Sequence, residues 1–512
     1  MDEGKDQKHP DDQKKHHQHQ MGTRGVSRPM ATMHNQKKQK EGKQPDMMSP
    51  EGRVQIRQMH HMQTLWIYWT IIILGVWMIL APLTFDFGKT ISMPSGGREV
   101  WISLSARTAA IMWSDIISGL LLVYFGWLSL KPEKSNALWG ACAVGIWLTM
   151  APVIFWAPSA VAYLNDTLVG ALIISLSILI PGMPNMIIYM KMGTKTPPGW
   201  SYNPSNWPQR WIMILTGFLG WMVSRYLAAF QLGYIDTIWD PFFGEGSRLV
   251  LNSRMSHSLP VSDGALGSLA YTFEFLMGWM GSPARWRTMP WMVAFFGILV
   301  IPLGLVHIFL VISQPLVVGH WCTFCLLAAG IMLPMIPLEV DEVFAMFQYL
   351  KKAKREGKNL WKKFWKGGSM KNDDEEEGPA LMELPYRPKS VFKESIRGVS
   401  APINLIITSL LGLWLMFSPA VYGVSGSGAN LGHLTGALII VSSILAWGEL
   451  LRTVRFLNFL LGAGLAIATW MMGDSGLAFN INNLILGILV VALSIKKGKI
   501  TESYGPMERF IK

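Results

Sequence analysis

Charge and cysteine are both scarce: 15% of the 512 residues are Asp, Glu, Lys or Arg, and only three are Cys. An ordinary soluble domain is about a quarter charged, so the first scarcity excludes a soluble enzyme and leaves no basis for a nucleic-acid binder. Three Cys cannot supply the framework of a secreted disulfide scaffold. What is abundant is apolar: half of the residues are hydrophobic, with 23 Trp and 32 Met. Runs at 65–83, 113–130 and 403–417 approach the roughly 20 residues that cross a bilayer as helix. The expected fold class is an all-α integral membrane protein.

The net charge of +12 is unevenly spread. Residues 1–62 hold 12 of the 45 Lys and Arg and seven of the 11 His, without helical periodicity, and are expected to be a disordered cytoplasmic tail. No apolar core or small-residue cleavage site marks a signal peptide there. The apolar segments read as twelve spans: 65–86, 112–130, 137–156, 163–183, 211–231, 265–281, 290–312, 321–337, 402–418, 431–449, 455–472 and 482–495. With the N-terminus inside, 39 Lys and Arg fall on the cytoplasmic side, counting Arg455 at the inner end of its span, five outside (Lys89, Arg98, Arg107, Arg248, Arg254), and Arg225 within a span. Both termini are then cytoplasmic, in the plasma membrane of a bacterium or archaeon.

Two-helix units repeat. Gly75, Trp77, Ala81 and Pro82 recur in spacing as Gly145, Trp147, Ala151 and Pro152, and as Gly412, Trp414, Ser418 and Pro419. In the following helices Asp115 with Gly119, Asp166 with Gly170, His433 with Gly436 and Asn483 with Gly487 each open an apolar run. These units resemble the SPW repeat family, over 64–180 and 403–495. Physically, Pro ends a helix, Trp anchors it at the interface, Gly permits close helix approach, and the acids read as N-caps. The two repeat sets are expected to pack on each other or on what lies between them.

Residues 200–337 break the repeat. Cys322 and Cys325, in Trp-Cys-Thr-Phe-Cys, begin a span at its outer end, where a helix N-terminus favours thiolate and one turn brings the sulfurs together. Spacing alone equally suits two small apolar side chains in a lipid-facing helix. Cys142, alone in a repeat helix, reads as packing. Around the pair, 207–337 resembles the vitamin K epoxide reductase family. It has a helix at 211–231, a long external loop, Ser258-Leu259-Pro260-Val261-Ser262-Asp263-Gly264-Ala265-Leu266-Gly267 entering a second helix, Arg285-Trp286 at a turn, a third helix and the Cys pair. The resemblance implies a four-helix bundle that reduces a membrane quinone, ubiquinone or menaquinone. Cys325 would face the quinone, Cys322 would exchange with an incoming thiol, and Asp263 and Gly267 would lie in the quinone site.

Two departures follow. The aromatic that some members carry one turn beyond the Cys pair is replaced by Ala329, and the external loop 232–264 contains no Cys to relay electrons. A thioredoxin-like or other dithiol protein would then attack the pair directly. The stretch from Trp239 to Gly244 reads as a lid over the bundle mouth with Phe242 or Phe243 inserted. Arg225, Glu274 and His307 read as lying in the outer halves of their helices, as an Arg225–Glu274 ion pair beside a satisfied His, or as a polar quinone pocket with His307 donating a proton. Residues 350–366, with eight Lys or Arg among aromatics, suit a helix on anionic membrane lipid, followed by a solvated acidic run at 373–377.

The expected organisation is a tail (1–62), repeats one and two (63–190), the reductase-like bundle (200–337), a cytoplasmic linker (338–400), repeats three and four (401–496) and a short tail (497–512). The expected function is quinone-linked thiol oxidation without a metal site. A non-catalytic membrane scaffold or assembly subunit is the alternative. A transporter built from inverted repeats fits two-helix units poorly.

Overall fold

A computed structural model describes residues 50–88, 91–179, 195–370, 388–471 and 476–511. Two compact units divide the chain, 1–58 and 59–512, and the membrane helices belong to the second. Most of the tail and the acidic run at 373–377 lie outside the described residues. Pro50–Gln63 is helical, so the last part of the tail does have structure, contrary to expectation.

Ten helices among the described residues are long and apolar enough to cross a membrane. Leu138–Ile154 and Asp263–Trp279, each 17 residues, complete the twelve expected spans. The protein is a multi-pass helical membrane protein.

The repeat units are built on glycine. A Cβ on Gly119 would stand 2.5 Å from the Gly75 carbonyl oxygen, and one on Gly75 2.8 Å from that of Gly119. Gly145 with Gly170, Gly412 with Gly436 and Gly462 with Gly487 repeat this reciprocal approach, at 2.4 to 2.9 Å. Without side chains at these points the backbones touch, which is how helices gain contact in lipid, where apolar burial gives no driving force. The repeat tryptophans also bind across units rather than only anchoring them. Trp77 donates to Asn165 at 2.8 Å, Trp147 to Ser114 at 2.9 Å and Trp414 to Asn482 at 3.0 Å. The acids are not N-caps: Leu104–Ser129 and Ala160–Ile174 begin well before Asp115 and Asp166, which are fully buried and adjoin across repeats one and two.

Between the repeat sets stands a bundle of Trp207–Gln231, Asp263–Trp279, a third span broken into Pro290–Val300 and Pro302–Val317, and Thr323–Arg355. The last helix runs 33 residues, so 338–355 is helix and not linker, and the separate basic helix is only Leu360–Lys366. Its acids Glu339, Asp341 and Glu342 are buried, and Asp341 and Glu342 are hydrogen-bonded. Arg285 grips Glu342 with two bonds of 2.6 Å, Ser205 also donates to Glu342, and Tyr202 donates to Asp341. Arg210 closes the end of Asp263–Trp279 by donating to the carbonyls of Gly278, Met280 and Gly281. The C-terminal segment joins this base: Glu449 accepts from the Thr501 amide and hydroxyl, the Glu502 amide and the Tyr504 hydroxyl, at 2.7 to 3.1 Å.

Each repeat set leans on a different side of the bundle. The first is tied to it by Arg225 donating to Thr167 at 3.0 Å and Trp156 donating to the Pro260 carbonyl at 3.0 Å. In the second, Ser427–Leu445 packs on Pro302–Val317 and Thr323–Arg355. Among the described residues the sets thus flank the bundle as two pairs, with no substantial helix packing of one set on the other. Gly119→Ala should destabilise the protein by roughly 1–3 kcal/mol, since its methyl meets backbone that cannot give way. Gly464→Ala, with open space around its Cβ, should leave the thermal midpoint in detergent unchanged. Equal midpoints for the two variants would contradict the close-contact account.

Candidate functional site

The first backbone N–H groups of a helix have no partner within it. At the start of Thr323–Arg355 these groups sit among Leu227, Phe230, Val250, Leu251 and Val311, and the amides of Cys322, Thr323 and Cys325 each find a specific acceptor. The Cys322 amide donates to the Gln314 side chain at 3.2 Å, and the Cys325 amide to the Cys322 sulfur at 3.1 Å. Thr323, between the two cysteines, donates its amide at 3.5 Å and its hydroxyl to the carboxylate of Asp240 in the loop above. Cys322 is the helix N-cap and is disulfide-bonded to Cys325, with Cα atoms 5.2 Å apart. Cys322 is fully buried and Cys325 is 7% exposed.

Asp240 also organises its own loop. It accepts from the amides of Phe242 at 3.1 Å, Phe243 at 2.9 Å and Ser247 at 3.0 Å, and from the Ser247 hydroxyl at 2.6 Å. Partial burial alone would raise this carboxyl, but the hydrogen bonds from Ser247, Thr323, Phe243 and Phe242 outweigh it and hold Asp240 well below the usual carboxylate range. The short helix Gly246–Leu251 then lies so close to Trp321 that a Cβ on Gly246 would be 2.2 Å from its carbonyl oxygen. Phe243 stacks on Trp321, ring centroids 6.3 Å apart, while Tyr226 and Trp239 flank Phe324 at 5.1 and 6.3 Å. The loop lies against the helix start and is fastened to Thr323.

Of the sequence-derived candidates, Cys322, Cys325 and Phe243 come together here. Phe242 is 79% and Phe243 41% exposed, so neither is inserted into the bundle, and Phe243 rests on Trp321 instead. Asp263 lies in a separate polar knot at the start of the second bundle helix, its carboxyl accepting from Gln231, from Ser256 at 3.0 Å and from the Gly264 amide at 2.9 Å. Gly267, one turn on, faces Ser224 of the first bundle helix. His307 is half-buried on the third span, one turn from Val311 of the cysteine shell.

The Arg225–Glu274 ion pair is not formed. Arg225 turns to the first repeat set, donating to Thr167 and lying over the rings of Trp221 and Tyr163 at 4.9 and 5.2 Å. Glu274 is fully buried, five residues from the Trp279 end of its helix and eleven from Asp263, so it belongs to the inner half. Sequence reading missed Asp240, Gln314 and Thr323. For Asp240 a signal existed, since Asp-Pro followed by Gly marks a turn whose carboxylate accepts nearby amides.

Residues 211–340 match the Vitamin K epoxide reductase family, and residues 403–497 match the SPW repeat domain. The chain carries a vitamin K epoxide reductase family region. The cysteine pair, the lid-end helix start and all four bundle helices fall within or adjoin that region, and the family is a quinone-linked one, which assigns the bundle a membrane redox role. No curated protein and no solved structure matches the chain. For the first repeat set, the reciprocal glycine contacts reproduce those of the matched SPW region.

Asp240→Asn keeps the shape of the clasp and removes its charge, which should cost roughly 1.5–3 kcal/mol of lid attachment. Amide hydrogen exchange across 236–251 should rise accordingly, with exchange in the repeat helices unchanged. Because the Asp240 carboxyl is depressed in the folded protein, its stabilisation is present above about pH 4 and is lost as pH falls through the lower folded value. Lid exchange that is identical in wild type and variant at neutral pH would refute the clasp.

Proposed function

We propose that the protein oxidises a dithiol at the outer membrane face and passes the electrons to a membrane quinone through Cys322 and Cys325. The observation that carries this reading is the disulfide at the N-terminus of the bundle's last helix, inside the matched family region. The charge distribution supports placing the lid end outside and both termini in the cytoplasm of a bacterium or archaeon.

A thiolate of the partner, a thioredoxin-like or other dithiol protein, attacks the Cys322 sulfur. The Cys322–Cys325 bond breaks and Cys325 leaves as thiolate. The partner's second thiol then displaces Cys322, giving a partner disulfide and a reduced pair. The helix N-terminus favours the thiolate at Cys325, and the apolar shell of Leu227, Phe230 and Val311 fits an apolar ring beside it. A bound quinone supplies a two-electron acceptor. The pair returns to the disulfide as two electrons and two protons leave, with His307, one turn in sequence from Val311 of the shell, as the proton donor to the quinone. The chain's part is to hold the sulfurs, keep out water and place the proton.

Because Cys322 is fully buried, attack requires the Asp240 clasp to release and the lid to move. That same burial, with no cysteine in the lid, is the observation favouring a non-catalytic scaffold. Purified protein in lipid should couple oxidation of a dithiol to quinone reduction, slowly with partners unable to displace the lid, and Cys325→Ala should abolish it. If a panel of small dithiols and thioredoxin-like proteins yields no quinone reduction with wild type, the scaffold reading takes its place.

A further inference from the structure

At the end of the bundle opposite the cysteines, a groove of about 490 Å3 lies between the end of Thr323–Arg355, the start of Leu360–Lys366 and the C-terminal segment. Its floor is aromatic and aliphatic: Phe344, Phe347, Leu350 and Phe510, with the Phe344 and Phe510 rings meeting edge-on at 5.2 Å. Its rim is cationic, with Lys351, Lys354 and Arg509, and no carboxylate lines it among the described residues. Phe347 and Phe510 are 56% and 40% exposed, so the floor is open.

Depth decides what such a groove can hold. At about 1.5 Å per residue, Phe344 lies roughly 32 Å along the helix from Thr323 and Lys354 roughly 47 Å. A hydrocarbon core is about 30 Å thick, and about 40–45 Å with the headgroup layers. With Thr323 at the outer headgroup level, Phe344 and Phe347 thus lie at the inner end of the acyl chains, and the lysines stand at and just beyond the inner headgroups. Arg509 is not a loose tail residue there: the Gly505–Phe510 turn follows Tyr504, whose hydroxyl is bonded to Glu449 at 3.1 Å.

We infer that this groove is a binding site for one anionic phospholipid, its headgroup phosphate held by Lys351, Lys354 and Arg509 and the upper part of a chain lying on Phe347 and Phe510. Three cations with no acid among them complement a negative headgroup, and the apolar floor has no use for a free anion. The inference is independent of the redox chemistry at the other end.

The test uses the full chain, purified and exchanged into nanodiscs of equal phosphatidylglycerol and phosphatidylcholine, with retained lipid read by native mass spectrometry after release. Wild type should keep one phosphatidylglycerol in preference to phosphatidylcholine, by about tenfold or more for three headgroup-level cations. The triple variant Lys351→Ala, Lys354→Ala, Arg509→Ala should lose that preference. A control triple, Lys358→Ala, Lys362→Ala, Lys366→Ala, removes the same charge outside the groove and should keep it. The single change Lys354→Glu gives the same reading if the triple variant does not fold. Millimolar inorganic phosphate should not displace the lipid. Equal retention of both lipids, loss in the control triple, persistence in the groove variants, or displacement by phosphate would each overturn the inference.

Discussion

The start of the helix Thr323–Arg355 must satisfy its free backbone N–H groups inside an apolar shell, and much of the site follows from that requirement. Unpaired amides away from water are expensive, so the chain brings acceptors to them. Gln314 comes from the preceding span, the Cys322 sulfur from the cap itself, and Asp240 from a loop 83 residues earlier. The third of these sets the architecture of the mouth. Because Asp240 bonds Thr323 and also the amides of Phe242, Phe243 and Ser247, fastening the helix and folding the lid are one event. The lid consequently lies over the cysteines whenever the carboxylate is charged and bonded.

The bundle is stabilised differently at its two ends. Near the cysteines the partners are apolar side chains, aromatic rings, the Gln314 side chain and the carboxylate of Asp240. At the other end the polar groups are numerous and paired, with Arg285 on Glu342, Tyr202 on Asp341, and Arg210 on three carbonyls. A buried charge is tolerable only when paired and hydrogen-bonded, and breaking one such pair costs about 3–5 kcal/mol. The base is therefore a rigid platform, and the mouth, held by few polar contacts, is the part able to open. That division suits a protein whose chemistry needs access at one end and whose helices must not separate at the other.

Much of this was legible in the sequence, for physical reasons. Length and hydropathy located the spans because lipid permits little else, and the glycine spacing located the repeat units because only glycine lets the backbones touch. Cys322 and Cys325 were legible from their spacing and from the family resemblance. The end of the last helix was not, because Glu339, Asp341 and Glu342 look like the edge of a membrane span until the distant partners of Asp341 and Glu342 are known. Arg225 and Glu274 misled for a related reason: two opposite charges in neighbouring spans suggest a pair, but residue counts do not tell which face each occupies. The Trp side chains looked like interface anchors, whereas Trp77, Trp147 and Trp414 are each bonded to a polar residue of another unit.

The central claim, that electrons leave the protein through Cys322 and Cys325 to a quinone, is tested most directly by the redox state of the pair itself. The pair would be reduced in the purified, lipid-reconstituted protein and freed of reductant under anaerobic conditions. A short-chain quinone would then be added, and the remaining thiols alkylated and counted by mass. The account predicts that Cys322 and Cys325 lose both alkylation sites in step with one quinol formed per pair, while Cys142 is unaffected. A pair that stays reduced in the presence of quinone, in protein whose disulfide re-forms with a small chemical oxidant, would contradict it.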